Sequence, residues 1–200
     1  MQPLDRRRFL SESAFLAAAA AAVPSLGSLS AEEKAVAAKP GSALEKLRVA
    51  VVGVHGQGMT HVAGYADKHN CVVTTVCDVD KGVISKAMKY IEKVQGKAPA
   101  YEQDIRKVVA DKNIDIISIA TPNHWHALAA IWAMQNGKDV YVEKPVSHNV
   151  SEGRRMVETA RKYDKICQTG TQSRSSKGMQ EAMAFIHGGK IGKVKLARGL

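Results

Sequence analysis

The sequence predicts an α/β fold: a doubly wound parallel sheet followed by the truncated start of a second α/β domain. Short Val/Ile-rich runs without strict polar alternation recur from Leu47 onward, as expected of strands covered on both faces. Longer amphipathic stretches separate them, the β–α repeat that right-handed crossovers wind into one parallel sheet. Three runs end in residues suited to chemistry, at Gly53-Val54-His55-Gly56-Gln57-Gly58, at Thr121-Pro122-Asn123-His124-Trp125-His126 and at Glu143-Lys144-Pro145. Open α/β sheets bind ligands at the carboxyl ends of their strands.

In chain order, the apolar runs place strands at 47–53, 72–78, 114–120, 139–143 and 165–169. Between them the pattern predicts helices at 59–69, 81–94, 103–112, 124–136 and 150–163. Gly137 stands in the usual C-terminal capping place of the fourth helix, and Ser151 near the N-cap of the fifth. A helix-like stretch at 177–187 and the turn Gly188-Gly189 lead into a new run at 194–200. That run reads as the first strand of another sheet, and a lone strand cannot satisfy its hydrogen bonds by itself. The expected organisation is a signal peptide and linker over 1–40, a nucleotide-binding domain over 45–170, and the incomplete beginning of a carboxyl-terminal substrate domain over 171–200.

Composition narrows the function classes. With 45% hydrophobic residues but only 5% aromatic, one good core can be buried, built from Val, Ile, Ala and Leu. The net charge of +10 raises the question of nucleic acid. However, Lys86, Lys89, Lys93 and Lys97 are spread along a helix-like stretch, and few aromatics are present to stack bases. The charge therefore reads as solvated helix faces, with no nucleic-acid partner.

The first 40 residues differ in kind. Arg6-Arg7-Arg8-Phe9-Leu10 precedes ten apolar residues over 14–23 and then a stretch rich in small residues. Ten apolar residues are too few to span a bilayer, and the order is that of an export signal. The paired arginines resemble a twin-arginine signal, with Asp5 where Ser or Thr is usual. The expectation is export to the periplasm by the twin-arginine machinery, which moves proteins already folded. Cys71, Cys77 and Cys167 form no disulfide framework and read as buried free thiols.

The glycine turn follows a strand and opens a helix, the context that makes it a phosphate-binding candidate. Gly53 allows the tight turn and Gly58 the close helix–strand packing, while free N–H groups at the helix start face a pyrophosphate. His55 occupies the usual second glycine position, so Gly56 must provide the close approach. Asp78 ends the second strand, where a carboxylate hydrogen-bonds ribose hydroxyls and repels a 2′-phosphate. This favours NAD over NADP, with Asp80 close enough to share the role. Thr121, Pro122 and Asn123 border the cofactor's path: Pro122 fixes the backbone and Asn123 offers a donor and an acceptor. His124 and His126 form an H-x-H pair without acidic or cysteine partners at ligand spacing, so no metal is expected. Lys144 is the candidate catalytic residue, since oxidising an alcohol requires removal of the hydroxyl proton as hydride leaves. A cationic nicotinamide ring nearby would disfavour its ammonium form.

Together, Gly53–Gly58, Asp78, Thr121-Pro122-Asn123-x-x-His126 and Glu143-Lys144-Pro145 closely resemble the Gfo/Idh/MocA oxidoreductases. Gly170-Thr171-Gln172-x-Arg174 resembles the stretch by which that family enters its second domain. The resemblance implies a Rossmann-type domain followed by a substrate domain on a largely antiparallel sheet. It implies NAD(P)-dependent oxidation or reduction of sugars, cyclitols or polyols, with Lys144 at the active site and an aspartate and a histidine from the second domain completing it. Gly53, His55, Gly56, Gly58, Asp78, Thr121, Pro122, Asn123, His126, Glu143 and Lys144 are then the cofactor-side residues, and Gln172 and Arg174 face the substrate. An exported member with a similar signal binds NADP, whereas Asp78 argues for NAD. A homo-oligomer assembled through the second domain is expected. Two rival readings are a glycosidase that uses bound NAD for oxidation, elimination and re-reduction, and a non-catalytic nucleotide-binding fragment without turnover.

Overall fold

The computed structural model describes residues 46–67 and 70–198; the expected signal segment and residues 199–200 lie outside them. Six parallel strands form one sheet in the order β3-β2-β1-β4-β5-β6. They are β1 Leu47–Val52, β2 Cys71–Cys77, β3 Ala100–Glu102, β4 Ile116–Ile119, β5 Asp139–Glu143 and β6 Cys167–Gly170. The helices are α1 Gly58–Asp67, α2 Ser85–Gln95, α3 Ile105–Ala110, α4 Asn123–Gln135, α5 Val150–Tyr163 and α6 Lys177–His187.

The period-2 geometry of a strand explains why β1 is apolar throughout. Val49 and Val51 point into a core with Val62 of α1 and Ala87 and Ile91 of α2. Ala50 and Val52 point the other way, toward Val108 of α3, Ala130 of α4 and Met156 of α5. The sheet is thus covered on both faces, as the uninterrupted apolar runs predict. Strand order reverses between β1 and β4, which places a crevice at their carboxyl ends.

Four local readings are corrected. β3 was not expected: three residues, Ala-Tyr-Glu, are too short and polar to show as a strand, and the segment forms by pairing with Thr75–Cys77. Helix α2 begins at Ser85 rather than 81, because Asp78 and Asp80 draw the chain into successive turns, accepting from the N–H groups of Asp80 at 3.0 Å and Gly82 at 2.7 Å. The N-cap of α5 is Asn149, whose side chain accepts from Glu152 N, and not Ser151. Residues 194–198 adopt no regular structure, since a strand exists only through pairing and no described segment pairs with them. Gly137 does follow α4 with φ +79°, the left-handed conformation a C-terminal cap requires.

Carboxylates held by the fold set its acid response. The Arg48 guanidinium and main-chain N–H both donate to Asp115, tying β1 to the turn before β4 and lowering that carboxyl's pKa. Arg106, with its side chain and backbone N–H, brings the Asp104 N-cap down to about 2. Main-chain N–H groups of Asp104 and Gln103 lower Glu102. Folded values below the ordinary 3.8 and 4.5 mean that this stabilisation is complete above those values. It is lost as pH falls through the folded values, the last near 2. Urea midpoints measured against pH are expected to drop steeply on acidification below about 4, and Asp115→Asn is expected to flatten part of that drop.

Candidate cofactor cleft and active site

The glycine turn meets two separate demands. Gly53 has φ +83°, and a Cβ there would lie 2.8 Å from the carbonyl carbon and oxygen of Ala120. A Cβ on Gly58 would lie 1.7 Å from the Gly53 carbonyl oxygen, so helix α1 rests directly on the end of β1. Gly56 is different: nothing lies within 4 Å of where its Cβ would point. His55 is exposed and lines the cleft, with the open space at Gly56 beside it. The first turn of α1 is tightened by Met59 N donating to Gly56 O at 3.0 Å and Thr60 N to Gln57 O at 2.9 Å, which leaves the positive end of the helix dipole beside the glycine turn.

Asp78 follows β2, and its Oδ2 accepts from Val54 N at 2.9 Å while Oδ1 accepts from Asp80 N. The carboxylate therefore locks the glycine turn to the β2 loop, keeping its remaining lone pairs for hydroxyl donors. Tyr101 Oη donates to the Asp78 carbonyl at 3.1 Å, and Gln103 Nε2 donates to Val79 O at 2.6 Å, which fixes that loop from β3.

A cleft of about 980 Å³ runs along this edge. It collects Gly53, His55, Gly56, Asp78, Thr121 and Pro122. Its far end holds Asp80, Glu102 and Asp104; Arg106 and Lys107 there are engaged by Asp104 at 2.6 Å and Glu102 at 3.7 Å. The local cations are matched by carboxylates, so with Asp78 and Asp80 this end of the cleft carries net negative charge, which disfavours a 2′-phosphate there. Thr121 Oγ1 is buried and has no hydrogen-bond partner among the described residues. That orphan hydroxyl and the empty space at Gly56 are features a bound dinucleotide would complete. Both tryptophans of the chain, Trp125 and Trp132, line the cleft with ring centroids 6.3 Å apart.

Gly58, His126 and Glu143 lie behind the cleft. His126 is 1% exposed, with Nδ1 2.6 Å from Pro145 O and Nε2 2.7 Å from Thr121 O. Each ring nitrogen faces a main-chain carbonyl oxygen and the ring N–H donates to one of them, so His126 braces the β4 loop against the β5 loop. Glu143, expected on the cofactor side, is buried at 5% exposure. Its Oε1 lies 3.0 Å from His61 Nε2 and accepts from Gln172 Nε2, while Oε2 accepts from Lys144 N at 3.2 Å. Burial alone would raise the Glu143 carboxyl, but the bonds from His61 and Gln172 outweigh it and bring it below the usual value.

His61 was missed from the sequence, where a single histidine on an apolar helix reads as core. Its Nδ1 lies 2.9 Å from Ser118 Oγ, and Tyr141 packs against it edge-on at 5.2 Å. Ser118–His61–Glu143 has the composition of a nucleophile–base–acid triad. Ser118, however, is wholly buried in β4, out of reach of any substrate.

Lys144 is exposed at the end of β5, with its peptide to Pro145 in the cis form. Asn123 opens α4, and Gln172 and Arg174 lie in a short 3₁₀ turn, Gln172–Ser175. These four stand at the same sheet edge but outside the 980 Å³ cleft. Burial pushes the Cys77 thiol up to about 12 and the Cys167 thiol up to about 11. Among the described residues no group of three His, Cys, Asp or Glu could hold a metal ion, and no helix is long and apolar enough to cross a membrane.

A six-stranded parallel sheet with a glycine turn at its switch point and an acidic residue after β2 defines a dinucleotide-binding Rossmann domain. The chain belongs to the GFO_IDH_MocA oxidoreductase family, whose NAD-binding Rossmann fold matches residues 47–171. It is 30% identical over 181 residues to an alpha-N-acetylgalactosaminidase of Shewanella oneidensis, covering 84% of this chain and 39% of that protein. It is 31% identical, with the same coverage, to a glycosyl hydrolase family 109 protein of Shewanella baltica. The chain thus spans about two fifths of the length of the curated relatives it matches. Among solved structures, myo-inositol 2-dehydrogenase from Lactobacillus plantarum superimposes with TM-score 0.65 at 24% identity, covering 74% of this chain and 43% of that one. Scyllo-inositol dehydrogenase from Lactobacillus casei with NAD(H) and scyllo-inositol gives 0.63 at 21%, covering 74% and 43%. These two likenesses establish the fold.

Proposed function

We propose that this chain supplies the nucleotide-binding domain of an NAD-dependent oxidoreductase acting on a hydroxyl of a sugar, cyclitol or related polyol. The observation that carries the reading is the placement, on one edge of an NAD-binding fold, of the glycine turn, the Asp78 carboxylate and the exposed Lys144. NAD, when bound, supplies the acceptor for the hydride that leaves the carbinol carbon. Gly53, Gly56 and the start of α1 hold the pyrophosphate, and Asp78 takes the ribose hydroxyls. Thr121, Pro122 and Asn123 border the path toward Lys144. The Lys144 amine takes the hydroxyl proton, so one carbinol loses a hydride and a proton and becomes a carbonyl. Gln172 and Arg174 lie on the substrate side, where residues 171–200 open a substrate domain through which the protein self-associates. Residues 1–200 alone bind NAD with negligible turnover.

Residues 1–40 act as a twin-arginine signal that delivers the folded protein to the periplasm, a reading supported by the Arg6-Arg7 pair and the short apolar run after it. Lysine at both positions is expected to retain the protein in the cytoplasm, and continued export of that double variant would contradict the assignment.

The names of the 30–31% identical relatives favour a second reading, a glycosidase that oxidises its sugar transiently, eliminates the aglycone and returns the hydride. One assay separates the two in protein carrying its substrate domain. Net NADH formation on adding a free polyol or sugar supports the dehydrogenase. Aglycone release from an aryl glycoside with no net NADH overturns it in favour of the glycosidase.

A further inference from the structure

We propose that His61 is a positioning residue for Lys144: it holds the Glu143 carboxylate in the arrangement that pins the Lys144 main chain and grips Gln172. The proposal rests on Lys144 being the proton-transfer residue.

The geometry begins with a buried pair. The His61 and Glu143 side chains are 4% and 7% exposed, with Nε2 and Oε1 3.0 Å apart. A carboxylate removed from water costs several kcal/mol unless its lone pairs are matched. Here the matching groups come from three separate parts of the chain: the His61 ring on α1, the Lys144 N–H at the end of β5, and the Gln172 amide beyond β6. Glu143 is thus the point where the phosphate-turn helix, the strand end bearing Lys144 and the entry to residues 171–175 are joined.

His61 is itself held from behind. Ser118 Oγ lies 2.9 Å from Nδ1, and the Tyr141 ring stands nearly perpendicular to the imidazole at 83°. Space is equally restricted. Gly170 pairs with Glu143 in the β5–β6 register, and a Cβ there would lie 2.9 Å from Tyr141 Oη, 3.0 Å from Glu143 Oε1 and 3.1 Å from Gln172 Nε2. Replacing a buried ionic pair by apolar side chains of similar volume commonly leaves stability unchanged or improved. A His–Glu pair with a supporting hydroxyl is therefore a costly way to fill a core, but an effective way to fix one orientation. His61 lies three residues beyond Gly58, so the helix that receives the pyrophosphate also orients the strand end carrying the amine.

The test uses the protein with its substrate domain. His61→Met keeps volume and removes the donor, His61→Gln returns an N–H donor, and Gly170→Ala crowds Glu143 without altering charge. Three quantities are read: turnover, NAD affinity from the quenching of Trp125 and Trp132 fluorescence, and hydrogen exchange of the cofactor-free protein in peptides spanning 141–147 and 170–176. His61→Met is expected to lower kcat about ten- to a hundredfold, the cost of a small misplacement of reacting groups. NAD affinity should hold within about threefold. Exchange should rise in both peptides, with most of kcat recovered by His61→Gln. In a Lys144→Ala background, His61→Met should cost nothing further. Gly170→Ala should reproduce the selective kcat loss even if His61→Met does not fold. Normal kcat in His61→Met together with a dead Lys144→Ala overturns this proposal alone. A neutral Lys144→Ala overturns the Lys144 assignment, whatever the exchange data show. Parallel loss of kcat, NAD affinity and thermal stability, without recovery by glutamine, reduces His61 to a core residue and also overturns the proposal.

Discussion

Replacing Lys144 by alanine is expected to lower kcat by about 10²- to 10⁴-fold, the range for loss of a positioned proton-transfer group, while NAD affinity changes by less than about threefold. In energy this is about 3–5 kcal/mol of transition-state stabilisation. The separation follows from placement: Lys144 is exposed at the end of β5, outside the cleft that collects the glycine turn, Asp78 and Thr121. The side chain makes no hydrogen bond or ion pair with other described residues, so its removal should leave the fold unchanged. Steady-state kinetics with a responsive polyol, together with fluorescence titration by NAD, provides the check. Unchanged turnover would return Lys144 to an ordinary surface residue. A parallel fall in NAD affinity would instead make it a cofactor ligand.

Gly58→Ala is expected to be the most damaging single substitution in the described fold. The new Cβ would sit 1.7 Å from the Gly53 carbonyl oxygen and 2.8 Å from its carbon, both of them backbone atoms that cannot rotate aside. Helix α1 must lift from the end of β1, carrying its N-terminal N–H groups away from the pyrophosphate position. Overpacking of this kind costs about 3 kcal/mol or more, which at about 2–4 °C per kcal/mol lowers Tm by about 6–12 °C. NAD affinity should fall with it. By contrast, Gly56→Ala introduces a methyl group into open space and should leave Tm unchanged, weakening only cofactor binding. Calorimetric melting of the two variants measures the difference directly.

The glycines, Asp78 and the strand ends were legible because their requirements are local. A strand-to-helix turn needs glycine where φ is positive, and a residue's number along the chain places it at a strand end. Side-chain direction was harder to read. In β5, Val140 and Val142 face one core, so strand alternation turns Tyr141 and Glu143 to the other face, with His61 and Ser118. Glu143 was therefore a buried support and not a cleft residue, and that alternation was the available signal. His126 was similarly placed on the right helix but turns inward, its ring between the carbonyls of Pro145 and Thr121. His61 and Ser118 gave no pattern of their own: they lie 57 positions apart and meet only when α1 packs across β4. The short edge strand β3 and the unpaired run 194–198 both show that a strand depends on its partner as much as on its own residues.

The central claim, that the cleft at the β1–β4 switch point holds NAD through the glycine turn and the Asp78 carboxylate, can be measured in one calorimetric experiment. NAD and NADP are titrated into the wild type and into Asp78→Ala. The wild type is expected to bind NAD more tightly than NADP. Loss of Asp78 removes a ribose acceptor and the bond to Val54 N, so it should weaken NAD and erase the discrimination. A wild type that prefers NADP, or an Asp78→Ala variant that binds NAD as tightly as the wild type, would contradict it.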